Sequence, residues 1–313
     1  MSDHQTRLAA LCQNVEKVII GKRPVIELAV ITLLCRGHLL LEDVPGLGKT
    51  MLARTLSGSL ALDFKRIQFT PDLLPSDVMG VSIYNQKTGE FEFRKGPVFT
   101  NILLADEINR TTPRTQSSLL ESMEERQVTI DGETYQLPKT FMVIATQNPV
   151  ELQGTYPLPE AQLDRFFMRI RVGYPSIEQE VQIMEMQSRE HPIRTITSVL
   201  SETDLTAMQE AVKDIHIEAS VKRYIAEITA QTRKHPHILL GASPRGTLAL
   251  MRASQALAFL RGAEFVEPYL VKTIAGPVLA HRLVIKPQSR LQGISQEKAV
   301  EDILNAATAP VQA

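Results

Sequence analysis

The run Asp43-Val44-Pro45-Gly46-Leu47-Gly48-Lys49-Thr50 combines glycines, a lysine and a hydroxyl in the manner of a phosphate cradle. Gly46 and Gly48 let backbone amides approach phosphate oxygens, Lys49 offers charge to the β and γ phosphates, and Thr50 offers its hydroxyl to Mg²⁺. The first position departs from the usual loop pattern, because Asp43 stands where a glycine is expected. A second group, Asp106-Glu107, ends the apolar run Ile102-Ala105. Adjacent acids at the end of a buried strand are costly unless a cation or polar ligand meets them. Asp106 suits a metal held through water, and Glu107 suits orienting and deprotonating an attacking water. The third group, Asn148, follows the apolar run Phe141-Thr146 through Gln147, where its amide can hold the same water. Each has a plainer reading alone: a glycine-rich turn, an acid pair at a helix start, a turn before Pro149. Together, and in this order, they describe a nucleoside triphosphatase site.

Such groups need strands to carry them to a common edge. Short apolar runs at His38-Leu41, Phe64-Phe69, Asn101-Ala105, Phe141-Thr146 and Phe167-Val172 alternate with helical patterns. This predicts a parallel sheet covered by helices, whose ligands bind beyond the carboxyl ends of the strands. Two hairpins interrupt it: Val81-Tyr84 with Glu90-Phe93 around Lys87-Thr88-Gly89, and Gln127-Ile130 with Thr134-Gln136 around Asp131-Gly132. After Gly173-Tyr174-Pro175 only amphipathic patterns remain, at Ser176-Ser188, Glu202-Ile215, Ala219-Lys234, Pro244-Gly262 and Glu267-Leu283. This half reads as all helix, with Ser243 before Pro244 as a helix start. The expected organisation is an α/β domain over residues 1–190 and a helical domain over 191–313, with a hinge at 173–192 and a frayed tail from Ala306.

Composition narrows the function. The chain has 313 residues, 43% hydrophobic and 22% charged, as expected for about two globular domains. Lys plus Arg is 34 against 35 for Asp plus Glu, a net charge of −1, so no global field favours a polyanion. With 5% aromatic residues and no basic tail, nucleic acid is not the expected partner. Cys12 and Cys35 lack metal-ligand spacing and read as structural thiols of a reducing compartment. The N-terminus has no signal-peptide core, and Leu28-Cys35 is too short to span a bilayer. A cytoplasmic protein without membrane insertion is expected.

The sequence resembles the AAA+ ATPases and, within them, the MoxR family. The resemblance rests on LLEDVPGLGKT, LLADEINRTTPRTQSSLLESMEERQVTIDG, ATQNPVELQGTYPLPEAQLDRF and GASPRG. Asp43 is similar to the MoxR form of the loop. The resemblance implies an AAA+ core with inserted β-hairpins and a smaller all-α lid, binding ATP and Mg²⁺. It implies Walker A at Pro45, Gly46, Leu47, Gly48, Lys49, Thr50 and Met51, Walker B at Asp106 and Glu107, and sensor 1 at Asn148. It further implies an arginine finger at Arg165 reaching a neighbour's nucleotide, and a sensor 2 arginine at Arg245. Arg110, Arg114 and Arg126 compete for the inter-subunit role. Val18, Ile19, Ile20 and Gly21 match the region that packs on adenine, while Thr50 and Asp106 would serve the metal. As a class it implies a homo-oligomeric ring, a hexamer, acting as a chaperone on a protein client. Metal-cofactor insertion and a von Willebrand factor A-domain partner belong to the same implication. The hairpins resemble pore-facing inserts. A magnesium-chelatase-like motor and a nucleic-acid remodeller are the alternatives.

Overall fold

A computed structural model describes residues 3–149, 154–187 and 192–310. Helices α1 (Asp3–Glu16) and α2 (Arg23–Leu34) precede the first strand, β1 (Leu39–Glu42), which leads through the glycine loop into α3 (Lys49–Ser59). Then follow β2 (Phe64–Gln68), the short α4 (Pro75–Met79), and a hairpin of β3 (Gly80–Asn85) and β4 (Glu90–Lys95). Next come β5 (Ile102–Asp106), α5 (Pro113–Glu125), a second hairpin of β6 (Gln127–Ile130) and β7 (Glu133–Gln136), and β8 (Met142–Gln147). The one-turn α6 (Glu160–Leu163) and β9 (Met168–Ile170) complete this half.

Five strands form one parallel sheet in the order β2-β5-β8-β1-β9. Every residue of β5 is buried, and β1 is buried except at Glu42. Continuous apolar strands are what a parallel sheet covered on both faces requires. The register pairs Glu42 with Gln147, Gln68 with Asp106 and Ala105 with Ala145. That alignment brings the ends of β1, β2, β5 and β8 to the same edge. Both hairpins form where expected, and Phe93 of the first stacks on Tyr135 of the second at 4.2 Å between ring centres.

The second half continues through α7 (Ile177–Gln187), α8 (Glu202–Ala211), α9 (Ala219–Thr232), β10 (Ile238–Leu240), α10 (Pro244–Arg261), α11 (Pro268–Leu279), β11 (Val284–Ile285), α12 (Pro287–Leu291) and α13 (Gln296–Ala306). Ser243 caps α10 by accepting a bond from the Arg245 amide at 3.2 Å, with Pro244 in the first turn. The all-helix expectation fails at one point, since β10 and β11 pair antiparallel. Those runs are too short to carry a readable period of two. The tail also differs from expectation: Ala307 and Ala309 pack on the core, while residues 311–313 lie outside the described part. The expected boundary near 190, with His191, falls outside it too.

One sheet face shares its apolar core with the helical half. Leu8, Val15, Ile31, Leu39, Leu56, Tyr224, Leu250 and Ile274 belong to a single buried cluster. The other face packs on α5 and the hairpins through Leu40, Phe69, Leu103, Leu120 and Phe141. Polar ties reinforce the joint: Arg169 of β9 reaches Glu297 of α13 at 2.8 Å, and Arg282 reaches Asp164 at 2.7 Å. Cys12 is buried and its thiol is pushed up to about 11 by burial, as suits a structural residue. Among the described residues no helix is long and apolar enough to cross a membrane.

His38, just before β1, is buried between Met123 and Val143. Its Nδ1 accepts from the Val143 amide at 2.9 Å, leaving Nε2 to donate to the Met123 carbonyl at 3.0 Å. Burial, helped by the charge of Arg126, pushes the ring down to about 3. Below the ordinary histidine range the unfolded chain takes up a proton that the folded chain refuses. Stability is therefore intact above pH 6.5 and declines as pH falls from there towards 3, by up to about 1.4 kcal/mol per pH unit from this residue. Urea unfolding at pH 7, 6 and 5 should give a shallower pH dependence for His38→Gln than for the unaltered protein. Equal slopes would remove His38 from the account.

Candidate functional site

The glycine loop joins β1 to α3 and uses its glycines where other residues are strained. Gly46 has φ +88° and Gly48 has φ +78°, both in the left-handed region, and Gly48 immediately precedes the helix. The loop thus points the free amides and positive end of α3 towards one place. Lys49 opens α3 and is buried, with Nζ donating to the Asp43 carbonyl at 2.5 Å. Burial lowers its pKa, while Asp43, Asp106 and Glu107 oppose that shift. A buried ammonium facing carboxylates at the end of an amide cradle fits a polyphosphate.

Asp43 explains the missing first glycine. Its Oδ2 accepts from the amides of Val172, by a short bond, and Gly173, at 3.0 Å. The carboxylate therefore clips the loop to the chain leaving β9. A glycine has no group to do this.

Asp106 and Glu107 sit at the end of β5, as expected. Thr146 of β8 donates through Oγ1 to Asp106 Oδ1 at 2.6 Å and accepts the Glu107 amide at 2.8 Å. Glu107 has φ +57°, an uncommon backbone for a residue with a side chain. Arg66 and Gln68, neighbours on one side of β2, reach the same acids. Arg66 donates to Asp106 Oδ2 through Nε at 3.1 Å and Nη2 at 2.7 Å, and Gln68 Nε2 donates to Glu107 Oε2 at 2.6 Å. Arg110 Nε lies 3.1 Å from that oxygen. Asn148 is buried just past β8. The sequence reading had not singled out Arg66, Gln68 or Thr146. The polar i, i+2 pair in an edge strand was the available signal for the first two.

A cavity of about 230 Å³ adjoins the loop. Its walls include Val18, Ile19 and Ile20, from the stretch expected to pack on adenine, with Gly46, Leu47, Gly48 and Met51 of the loop and the start of α3. Ile183 and Met186 of α7 complete it from the hinge side. Gly21, between the lining residues Ile20 and Lys22, packs against Gln179, where an added Cβ would fall 2.0 Å from Nε2. Pro45 is exposed on the loop outside this cavity. Thr50, in the first turn of α3, and Asp106 offer the hard oxygen ligands that Mg²⁺ prefers when phosphates supply the rest.

Arg165 and Arg245 occupy the opposite edge of the sheet. Both pair with Glu124 at the end of α5, Arg165 Nε at 3.2 Å. With His38 they line a groove of about 270 Å³ beside the start of β1. The four residues of β1 separate His38 from Asp43, five steps or about 16 Å at ~3.3 Å per residue. Neither guanidinium faces the phosphate loop of its own chain. Arg126, a competing candidate, is half-buried and bonds the carbonyls of Arg36, Lys139 and Phe141. Its donors tie the stretch between β7 and β8 to the residue that ends the turn after α2.

Two substitutions test these ties. Thr146→Val should cost about 1–3 kcal/mol of stability in urea unfolding, the usual weight of a bond to a charged group. Asp43→Gly should weaken fluorescent ADP binding at least tenfold, since two amides lose their acceptor and the loop its anchor. An unchanged affinity would leave the clip without a function.

Comparison with known proteins agrees with this geometry. Residues 38–168 match the ATPase family associated with various cellular activities (AAA), and residues 230–303 match the AAA lid domain. The uncharacterized protein YeaC of Bacillus subtilis is 52% identical, over 97% of this chain and 95% of its own length. Chaperone MoxR1 of Mycobacterium tuberculosis is 40% identical over 95% of this chain and 81% of its own. A crystal structure from Cytophaga hutchinsonii, described as a candidate ATPase, has a TM-score of 0.92 and 41% identity, covering 98% of this chain and 96% of that one. With both family models matched and relatives of 40% identity and more aligned over nearly its whole length, the chain belongs to the MoxR family of AAA+ ATPases.

Proposed function

We propose that this ATPase hydrolyses ATP to ADP and phosphate with Mg²⁺ inside a ring of identical subunits, as a cytoplasmic chaperone that remodels protein complexes. One observation carries the reading. The phosphate loop, Asp106, Glu107 and Asn148 gather at one edge of the sheet, while Arg165 and Arg245 lie at the other. A site split in this way is completed when the arginine edge of one copy meets the phosphate edge of the next. Such a head-to-tail contact closes into a ring, here taken as a hexamer. Lys49 and the loop amides would bind the phosphates, Thr50 and Asp106 would hold the metal, and Glu107 with Asn148 would place the water. Arg165 and Arg245, freed from Glu124, would stabilise the charge that builds on the transferring phosphoryl. Hydrolysis would then depend on assembly.

The first hairpin is the client-facing part of this reading. Ile83, Tyr84 and Phe91 are exposed, and the Phe93–Tyr135 stack joins the two hairpins. A chaperone name is carried by the Mycobacterium relative, and protein remodelling is extended to this chain from it. Insertion of a metal cofactor and a von Willebrand factor A-domain partner are the finer parts of the same proposal.

Glu107→Gln should lower the ATPase rate by about 10²–10⁴ while preserving ATP binding. Arg165→Ala should lower it by about 10³ or more. Mixing these two inactive proteins at equal amounts is the decisive measurement. If Arg165 acts across the contact, random assembly restores intact composite sites at about one site in four, whereas action within one chain restores none. For the hairpin, shortening it by deletion of Asn85–Thr88 should keep basal hydrolysis and abolish client remodelling. Unchanged remodelling would argue against a client-facing hairpin.

A further inference from the structure

We propose that Arg66 is the counterion that Asp106 keeps until a divalent cation replaces it, so that Arg66 sets how readily the metal enters. This rests on the assignment of Asp106 to the metal. Both oxygens of the Asp106 carboxylate are already engaged by donors. Oδ1 receives the Thr146 hydroxyl within the protein, whereas Oδ2 receives two nitrogens of the Arg66 fork. The two contacts differ in surroundings. Thr146 is fully buried, but the Arg66 side chain is 48% exposed on the edge strand, against 13% for Asp106. A cation approaching from the open side therefore meets a guanidinium already on the oxygen it needs.

Even with a water between Asp106 and the metal the two compete, because the oxygen that would accept from the metal's water already accepts from the guanidinium, and the two cations repel each other. The exchange needs only a small rearrangement. Arg66 Nη2 also donates to Gln68 Oε1 at 2.9 Å, so the guanidinium can swing off Asp106 and keep a polar partner. The arrangement answers a physical need: a nearly buried carboxylate at a strand end requires a countercharge whenever no metal is bound. Arg66 supplies that charge from β2, and its cost is competition with the ion. Thr146 keeps its hold on Oδ1 throughout, so the carboxylate remains aimed while its partner changes.

The experiment is a titration of Mn²⁺, as a paramagnetic probe of the Mg²⁺ site, into the full chain saturated with ADP, followed by electron paramagnetic resonance. Arg66→Gln should lower the half-saturating Mn²⁺ concentration about fivefold, the weight of one half-exposed ion pair. ADP affinity measured without metal should stay the same. Arg66→Lys, which keeps the charge and loses the fork, should fall between. Tighter metal binding separates this role from a structural one, since a damaged site would bind Mn²⁺ more weakly. Asp106→Asn serves as the reference. If it weakens Mn²⁺ binding while Arg66→Gln leaves the half-saturation unchanged or raises it, the role of Arg66 is overturned. If Asp106→Asn itself has no effect, the assignment of Asp106 to the metal fails and this proposal falls with it.

Discussion

The hydroxyl of Thr146 holds the chemistry together. It is fully buried between β8 and β5, where it donates to Asp106 and accepts from the amide of Glu107. That pair of bonds aims one carboxylate and supports the left-handed turn at the next residue, which carries the other. The bonds are available only because the register sets Ala105 opposite Ala145, so that the next residue of each strand meets across the ladder. The register in turn is secured by strands apolar on both faces and by the two cores that cover them. Deep packing thus ends in a polar group at the sheet edge, and the functional carboxylates inherit their geometry from it.

The remaining polar ties organise the molecule around that edge and its opposite. Asp43 fastens the phosphate loop to the exit of β9, which leads into α7. At the far edge, buried Arg282 binds the Asp164 carboxylate and the carbonyls of Phe166 and Phe167. It fixes the segment that carries Arg165 to the end of α11. Ser243, which caps the helix bearing Arg245, also donates to Asp164 at 2.9 Å. One aspartate thus holds both arginine-bearing elements, and Glu124 holds both guanidiniums. The two arginines thus lie at one edge and the phosphate loop at the other.

Much of this was legible in the chain. The glycine loop, the acids after Ile102-Ala105 and Asn148 after Phe141-Thr146 announce themselves because each sits where an apolar run stops. The hairpins are legible for a similar reason, since Lys87-Thr88-Gly89 and Asp131-Gly132 are turn chemistry between alternating strands. Other features had no local signal. The β10–β11 pair is too short to show a period, and the packing of Gln179 on Gly21 joins residues far apart in the chain. The physical reason for Asp43 also lies outside the loop, in the amides of Val172 and Gly173 that donate to its carboxylate.

The sequence by itself determined the class of chemistry and the parallel α/β architecture, because residue type sets which groups can bind phosphate and hydrophobic period sets strand and helix. The partners of those groups were decided only by tertiary structure. Arg66 and Asp106 are 40 positions apart, as are Asp106 and Thr146, and Arg245 lies 121 positions from Glu124. No spacing rule connects such residues. Ion pairs and hydrogen bonds act over a few ångströms, and the distances that matter arise only when the sheet aligns its strands and the helical half packs against it.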